Sequence, residues 1–415
     1  MDPAAAANSG DDRARESATR PQALHGCRCS FGDLPVKDPF VRSVMEDIAE
    51  AAGIIERTFA GLWHDIAELG EDRIRTRQCV VAALVVPLAT TAALVFQVES
   101  VWWAAISGFM AIMSTGAASV RRGILRLIGT ICGAGMGFIA ARWLPYDHFA
   151  LSLYLGATTM LGVVGMQVSP HGLAWLFFAI TSSMVLLMGL SDPLLVPIVA
   201  FYRVFEVAIG VGSAMIVANV LENWHADPPA PTPGWRHLLG EQWPALLHGI
   251  RAAICVVIVL YVWIWIDLPD VTQMAVTVAA VMAAPVAADA SVSTRHEVAK
   301  RALHRILGCV LGGIAALICL AVSVTSLFWW LAMIGGGVWV CMHIQTSKRG
   351  VGYVGTQAGI VFIITLIQGA QPPASIMPGI DRFAGITGGL GILLLVSLVL
   401  WPGDVKTVEA RNSGK

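Results

Sequence analysis

Arg203 and Glu206 stand one helical turn apart inside the long apolar run from Leu194 to Leu221, so one helix face would carry a guanidinium and a carboxylate. In hydrocarbon such a pair has two uses: the carboxylate can take up and release a proton, and the cation can attract an anion. The run is longer than one membrane span, which leaves a second placement open, with Arg203 snorkelling at the outer interface and Glu206 as its partner. Asp289, just after Ala284-Pro285-Val286-Ala287-Ala288, and Gln273 are further candidates for contact with a proton or solute; Asp289 also reads as a loop-start aspartate. Arg122 with Arg126, and Arg301 with Arg305, are pairs one turn apart. Each pair could hold phospholipid phosphates or an anionic solute, or simply fix topology. His171, His296, His304 and His343 fall near segment ends and read as solvated loop histidines.

Catalytic arrangements are missing. There is no Ser/His/Asp order, HExxH string or phosphate loop, and the Gly133-Ala-Gly135-Met-Gly137 run follows no strand, so it is no nucleotide fingerprint. Cys27 and Cys29 beside His25 lack four ligands at zinc spacing, and the other six cysteines sit in apolar runs where a thiol packs as a small hydrophobe. Neither an enzyme nor a bound cofactor or metal is expected. A formal net charge of −1 offers no global field for nucleic acid.

The elements that must position these residues are helices in lipid. Of 415 residues 56% are hydrophobic and only 13% charged, with a mean hydropathy of +0.70, too apolar for an ordinary soluble domain. Residues 1–37 mix small and polar types without periodicity and read as a disordered tail. In residues 38–72, Val41, Met45, Ile48, Ala52, Ile55, Phe59, Leu62, Ile66 and Leu69 recur four and three apart, with Glu46, Asp47, Glu50, Glu56, Arg57 and Glu68 on the other faces. This amphipathic helix packs against the bundle or along the membrane interface, or forms a coiled coil joining protomers in a homo-oligomer.

Twelve apolar segments of spanning length follow, near 79–96, 101–120, 125–142, 150–166, 172–190, 195–221, 252–266, 271–288, 305–324, 327–342, 351–368 and 383–401. Arg73, Arg75, Arg77, Arg121, Arg122, Arg236, Arg251, Arg295, Lys300, Arg301, Lys348 and Arg349 all fall on one side of this zigzag, which places that side and both termini in the cytoplasm. A Pro-rich linker, 222–250, joins six spans (73–221) to six more (251–401), and 402–415 form a tail.

The halves repeat. Arg122-x-x-x-Arg126-Leu-Ile-Gly129-Thr-Ile-Cys-Gly133 returns 179 residues later as Arg301-x-x-x-Arg305-Ile-Leu-Gly308-Cys-Val-Leu-Gly312. The same offset pairs Arg203 with Arg382 and Gly210 with Gly389, and a nearby one pairs Arg77 with Arg251. Glycines four apart let a neighbouring helix approach to backbone contact. Six spans is an even number, so the halves keep one orientation about an axis along the membrane normal. The fold expected is an all-α polytopic membrane protein of about twelve spans in two parallel six-helix repeats, preceded by an amphipathic cytoplasmic helix. A membrane scaffold recruiting partners through residues 41–69 is the reading from another class.

These strings, with the Trp103-Ala-Ala-Ile-Ser start of the second span and Arg203 with Gly210, resemble the fusaric acid resistance family, which includes the aromatic acid exporters. The likeness covers about 73–401. It implies proton-driven export of small, often aromatic, carboxylic acids or related toxic compounds across the bacterial inner membrane, in relatives often with a periplasmic adaptor subunit. A passive organic-anion channel is the alternative, as in related plant proteins. The chain departs from many relatives in lacking a large cytoplasmic domain between the halves, and in having Gln273 where the first half has Trp103.

Overall fold

The computed structural model describes residues 39–144, 147–221, 234–240, 242–266, 271–286, 292–322, 326–369 and 377–400. Asp289, Cys27, Cys29, the 222–233 part of the linker and both tails lie outside the described residues. The chain divides into two compact units, 1–49 and 50–415. Of the first, only the opening turns of one helix are described; the second holds the bundle.

Among the described residues there are thirteen α-helices and no strand: α1 (Pro39–Ala67), α2 (Arg73–Val95), α3 (Val101–Ala111), α4 (Gly116–Trp143), α5 (His148–Val168), α6 (Gly172–Ser191), α7 (Val196–Leu221), α8 (Trp243–Ile266), α9 (Val271–Met282), α10 (Val292–Ala321), α11 (Leu327–Gln345), α12 (Gly352–Leu366) and α13 (Met377–Leu400). Side-chain caps set several starts: Asp72 accepts from the Ile74 and Arg75 amides, Asp147 from those of Phe149 and Ala150, and Thr115 from that of Ala118. Nine of the described helices are long and apolar enough to cross a membrane, and α3, α9 and α12 are shorter apolar helices of 11, 12 and 15 residues.

Those lengths shorten two of the expected spans, 101–120 and 271–288, whereas α12 keeps nearly the whole of 351–368. At 1.5 Å per residue, α3 and α9 run only about half of a ~30 Å hydrocarbon core. The sequence stays apolar past their ends, but the backbone does not stay helical. After α3, Ile112 turns extended and Thr115 caps a new helix; after α9, Pro285 keeps the helix from running on.

The halves, α2–α7 and α8–α13, repeat the same packing. The third helix of each half lies against the fifth (α4 on α6, α10 on α12), and the second against the sixth (α3 on α7, α9 on α13). Between halves the pairing is exchanged: α5 packs on α8 while α11 packs on α2. Two apolar cores result, and each draws on both halves. One joins Leu155 and Leu186 to Val256 and Met282, and the other joins Val85 and Phe109 to Trp330 and Phe362.

The helices are small inside and bulky outside, as a lipid-facing bundle requires. On α4 the Gly129, Gly133 and Gly137 face is buried while Ile124, Ile128, Ile131 and Ile139 are exposed. A Cβ on Gly129 would collide with the Ala174 carbonyl, and one on Gly308 would lie 2.5 Å from the Val354 carbonyl. Gly133 and Gly312 repeat this one turn on, against Phe178 and Ala358. The expected packing glycines are therefore points of backbone contact at equivalent places in the two halves.

α1 is held on the bundle through a face turned from the expected seam. Ile54 and Leu62 are buried, but Phe59, Ile66 and Leu69 are 50%, 48% and 40% exposed. Hydrophobic spacing alone misjudged the rotation, because the buried face carries polar side chains with buried partners. Asp65, fully buried, meets Arg75 at 3.1 Å and Arg349 at 3.4 Å, Arg75 donates to the His343 carbonyl, and His343 Nε2 donates to the Asp65 carbonyl. Thr58 meets His304 Nε2 at 3.0 Å. His304 and His343 are thus buried, contrary to the expectation of solvated loop histidines, while His171 and His296 are not buried. At the rim Arg349 forks onto Glu68 and Lys348 meets Asp72.

Two outcomes are expected from this packing. Gly133→Ala, whose Cβ would lie 2.5 Å from the Phe178 carbonyl, should cost about 1–3 kcal/mol, while Gly135→Ala, with open space around it, should leave the melting temperature of the detergent-purified protein unchanged or raised. Equal losses in both would rule out the close-approach account. The hydrogen bond from Arg349 holds the Glu68 carboxyl, and that from Lys348 the Asp72 carboxyl, below their ordinary range. Folded values depressed in this way contribute stability above the unfolded range and lose it as pH falls through the depressed values. Hydrogen exchange in α1 should therefore be constant from neutral pH to about 5, after allowing for intrinsic rates, and rise only in stronger acid.

Candidate functional site

Around each short helix the two halves build the same arrangement. α3 ends with its last carbonyls inside the bundle, and Arg122 Nε donates to the Met110 carbonyl at 2.7 Å. At the end of α9, Arg301 donates to the Ala283 carbonyl at 3.3 Å, and the His248 ring meets the Met282 carbonyl at 2.7 Å. The negative end of a helix dipole is thus met by a cation in both halves. One turn further on, Arg126 donates to the Ser107 hydroxyl and Arg305 to the Thr277 hydroxyl, both at 3.2 Å. Arg126 also lies over the Phe177 ring and Arg301 over the Tyr353 ring. Arg126 and Arg305 are each 2% exposed. The expected anion or lipid contacts are therefore turned inward, onto the ends and flanks of the broken helices.

The opposite ends of α3 and α9 carry the second matched set. Arg203 on α7 stacks over the Trp103 ring of α3, 4.3 Å from its centroid, and Arg382 on α13 donates to Gln273 Oε1 of α9 at 2.8 Å. Gln273 is the counterpart of Trp103, so both arginines reach across to the same place on the short helix of their own half. Gly210 and Gly389 sit beside these contacts; a Cβ on Gly210 would strike the Ala104 carbonyl, and one on Gly389 would lie 2.8 Å from that of Met274.

The halves differ in charge at this level. Glu206 faces Arg203 at 3.3 Å and accepts from the Ser100 amide at 2.9 Å. Both side chains are buried, 7% exposed for Arg203 and 2% for Glu206. The pair is thus enclosed by protein, beside the turn that leads into α3. The second half has Gly385 at the position of Glu206 and the uncharged Gln273 as a partner of its arginine.

Cavities open at the other end of the bundle, beside the paired cations of each half. One of about 250 Å³ is lined by Met113, Arg121, Arg122, Leu125 and Leu173. Another, of about 350 Å³, is lined by Ala284, Lys300, Arg301, His304 and Tyr353 among others. Arg121, Arg122 and Leu125 correspond to Lys300, Arg301 and His304 by the 179-residue offset. Among the described residues no group of three His, Cys, Asp or Glu side chains could hold a metal ion.

This symmetry has a counterpart in sequence comparison. The model of the fusaric acid resistance protein-like family matches residues 88–217 and 265–396, one segment in each half. The chain belongs to that family. No curated protein and no solved structure matches it. Membership makes the chain a multi-pass membrane protein of a transport and efflux family, and the expected fold, all-α in two repeats, stands with it.

Of the residues expected from sequence, the structure brings Arg203 and Glu206 together, joins Gln273 to Arg382, and sets Arg122, Arg126, Arg301 and Arg305 on the short helices. Asp289 lies outside the described residues. Sequence reasoning missed Ser107 and Thr277, the partners of the inner arginines. A signal existed: Ser107 follows Trp103 by four residues as Thr277 follows Gln273. It also missed Asp65, whose partners Arg75 and Arg349 come from other segments.

Removing one partner of a buried ion pair strands the other charge, at a cost of about 3–5 kcal/mol. Glu206→Ala should therefore destabilise the purified protein by that order, whereas Arg203→Met combined with Glu206→Leu should recover much of the loss. A double variant as unstable as the sum of the singles would mean that the two side chains act independently.

Proposed function

We propose that the protein is a bacterial inner-membrane exporter of small, aromatic carboxylic acids or related toxic compounds, driven by the proton gradient, with its α1 end and both termini in the cytoplasm. The observation that carries this reading is the pair of half-length helices, α3 and α9, in corresponding positions of the two repeats, each surrounded by buried arginines. Interrupted helices at matched positions of a repeat are where transporters place solute sites. Buried guanidinium groups are suited to a carboxylate, and Trp103 and Phe177, over which Arg203 and Arg126 stack, offer faces for an aromatic ring.

Glu206 is the coupling group in this scheme. Charged, it is tied to Arg203 and the Ser100 amide; protonated, it releases Arg203 to an anionic solute. Binding of an anion at Arg203 is in this way linked to the protonation of Glu206. Arg121 and Arg122 draw anions to the first-half cavity at the cytoplasmic mouth. A periplasmic adaptor subunit would meet the opposite face. A passive organic-anion channel is the alternative, favoured by one feature: the second half has Gly385 at the position of Glu206, so this titratable carboxylate is not repeated on the last span.

Uptake of radiolabelled aromatic and aliphatic carboxylic acids into inverted vesicles, with and without protonophore, tests the reading. Accumulation that collapses with protonophore and is lost in Glu206→Gln is the expected outcome. Flux that follows only the anion's own gradient, in wild type and variant alike, would establish the channel instead.

A further inference from the structure

Two cavities of the second half meet where α1 lies on the bundle, and their lining is unlike that of the first half. One, of about 220 Å³, is lined by Ile54, Arg57 and Thr58 of α1, by His296, Lys300 and His304 of α10, and by Arg349, Gly350 and Val351 before α12. The other is the 350 Å³ cavity beside Arg301, and the two share Lys300, His304 and Gly350. We propose that this shared space, beside α1 in the second half, is a binding site for a phosphate-bearing dianion.

Charge accounting selects a dianion. Arg349 lines the space, but its charge is met by Glu68 and Asp65, and His296 is matched to Glu50 at 2.5 Å. What remains among the described lining residues is Arg57, Lys300 and Arg301 against a single carboxylate, Glu297, a balance of two positive charges. Glu297 lies 3.9 Å from the Lys300 ammonium, beyond hydrogen-bond reach, so the attraction between them is weak. His304 is 3% exposed and lines both cavities.

The backbone adds to this. Gly350 adopts φ +77°, which brings the loop close to Lys300, whose Nζ would lie 3.6 Å from a Cβ at that position. α12 begins two residues later with no side-chain cap, and Gly350, Val351, Gly352 and Tyr353 all line the cavities. The amides of a helix start and two long cations facing one space form the usual cradle of a phosphate group. In the first half Leu125 and Leu173 replace His304 and Tyr353, so the equivalent cavity has an apolar wall. An anion held here would join Arg57 of α1 to Lys300 of α10 and the start of α12, and would fasten α1 to the bundle.

The group could come from a soluble phosphate or from a lipid headgroup, and the test separates them. Full-length protein in nanodiscs of phosphatidylcholine alone is titrated calorimetrically with inorganic phosphate, and in a second arm with phosphatidic acid included in the disc. Saturable phosphate binding, weakened at least tenfold by Lys300→Ala and by Arg57→Ala but retained in Lys300→Arg and in the first-half variant Arg121→Ala, is the expected result for a soluble ligand. If phosphatidic acid abolishes that titration and stays bound in native mass spectra of wild type but not of Lys300→Ala, the headgroup is the natural occupant. Arg57 is exposed on α1, so its variant is read without a folding defect. Binding of neither probe, or equal binding by wild type and both alanine variants, would overturn the proposal. The readout is ligand binding, so it is independent of whether any carboxylic acid is transported.

Discussion

A helix that stops inside a packed bundle leaves its last carbonyls without intrahelical partners, and a buried backbone group left unmatched costs about 1–3 kcal/mol. α3 and α9 both stop in this way, and the rest of the bundle is arranged around that fact. Arg122 and Arg301 meet the carbonyl ends, and Arg126 and Arg305, one turn deeper, bind hydroxyls on the flanks. Bringing a guanidinium to the stub of a helix requires the helix that carries it to pack closely, which is where the glycines enter. Gly129, Gly133, Gly308 and Gly312 follow the arginines on α4 and α10 and let those helices touch the backbones of α6 and α12. The repeated Arg-x-x-x-Arg-x-x-Gly string is thus one device, in which the arginines answer the break and the glycines set the helix that carries them.

The exchange at the centre of the molecule is a consequence of the repeat. Each half packs its fourth helix on the first helix of the other, α5 on α8 and α11 on α2, so neither apolar core belongs to one half. Gly335 of α11 shows how tight this is, since a Cβ there would lie 2.9 Å from the Ala83 carbonyl of α2. The halves also meet where α6 packs on α9 and α12 on α3, so the short helices themselves belong to the contact between halves.

Much of this was legible in the sequence, and the reasons for the rest are physical. The repeat could be read because the arginines and glycines answer a backbone requirement that tolerates few substitutes. The breaks after α3 and α9 could not, because hydropathy sums side chains and Ile112, Met113 and Ala283-Ala284-Pro285-Val286 are as apolar as a helix interior. The direction of Arg122 and Arg126 was lost for the same reason: a charge at the end of a span suggests an interface unless the broken neighbour is known. α1 was recognised as a helix with a wet side, but its rotation was misjudged. Its buried face holds Asp65 and Thr58, which are satisfied by Arg75, Arg349 and His304 from distant segments, and apolar spacing does not register such partners.

Symmetry and its violation then divide the residues by what they do. Where both halves keep the same group, as with Arg126 and Arg305 on Ser107 and Thr277, the shared cause is the backbone they support. Where they differ, packing alone gives no reason for the difference, since the surrounding helices are equivalent. Glu206 in place of Gly385, Trp103 in place of Gln273, and His304 and Tyr353 in place of Leu125 and Leu173 are the principal differences on the described short helices and beside their cavities. They fall at two levels of the bundle. A carboxylate and an aromatic ring stand at one end of the first half, and an added basic lining stands at the other end of the second. A twofold bundle with identical halves would treat its two surfaces and two pathways alike. These few substitutions give it a polarity that the packing of the repeat does not by itself require.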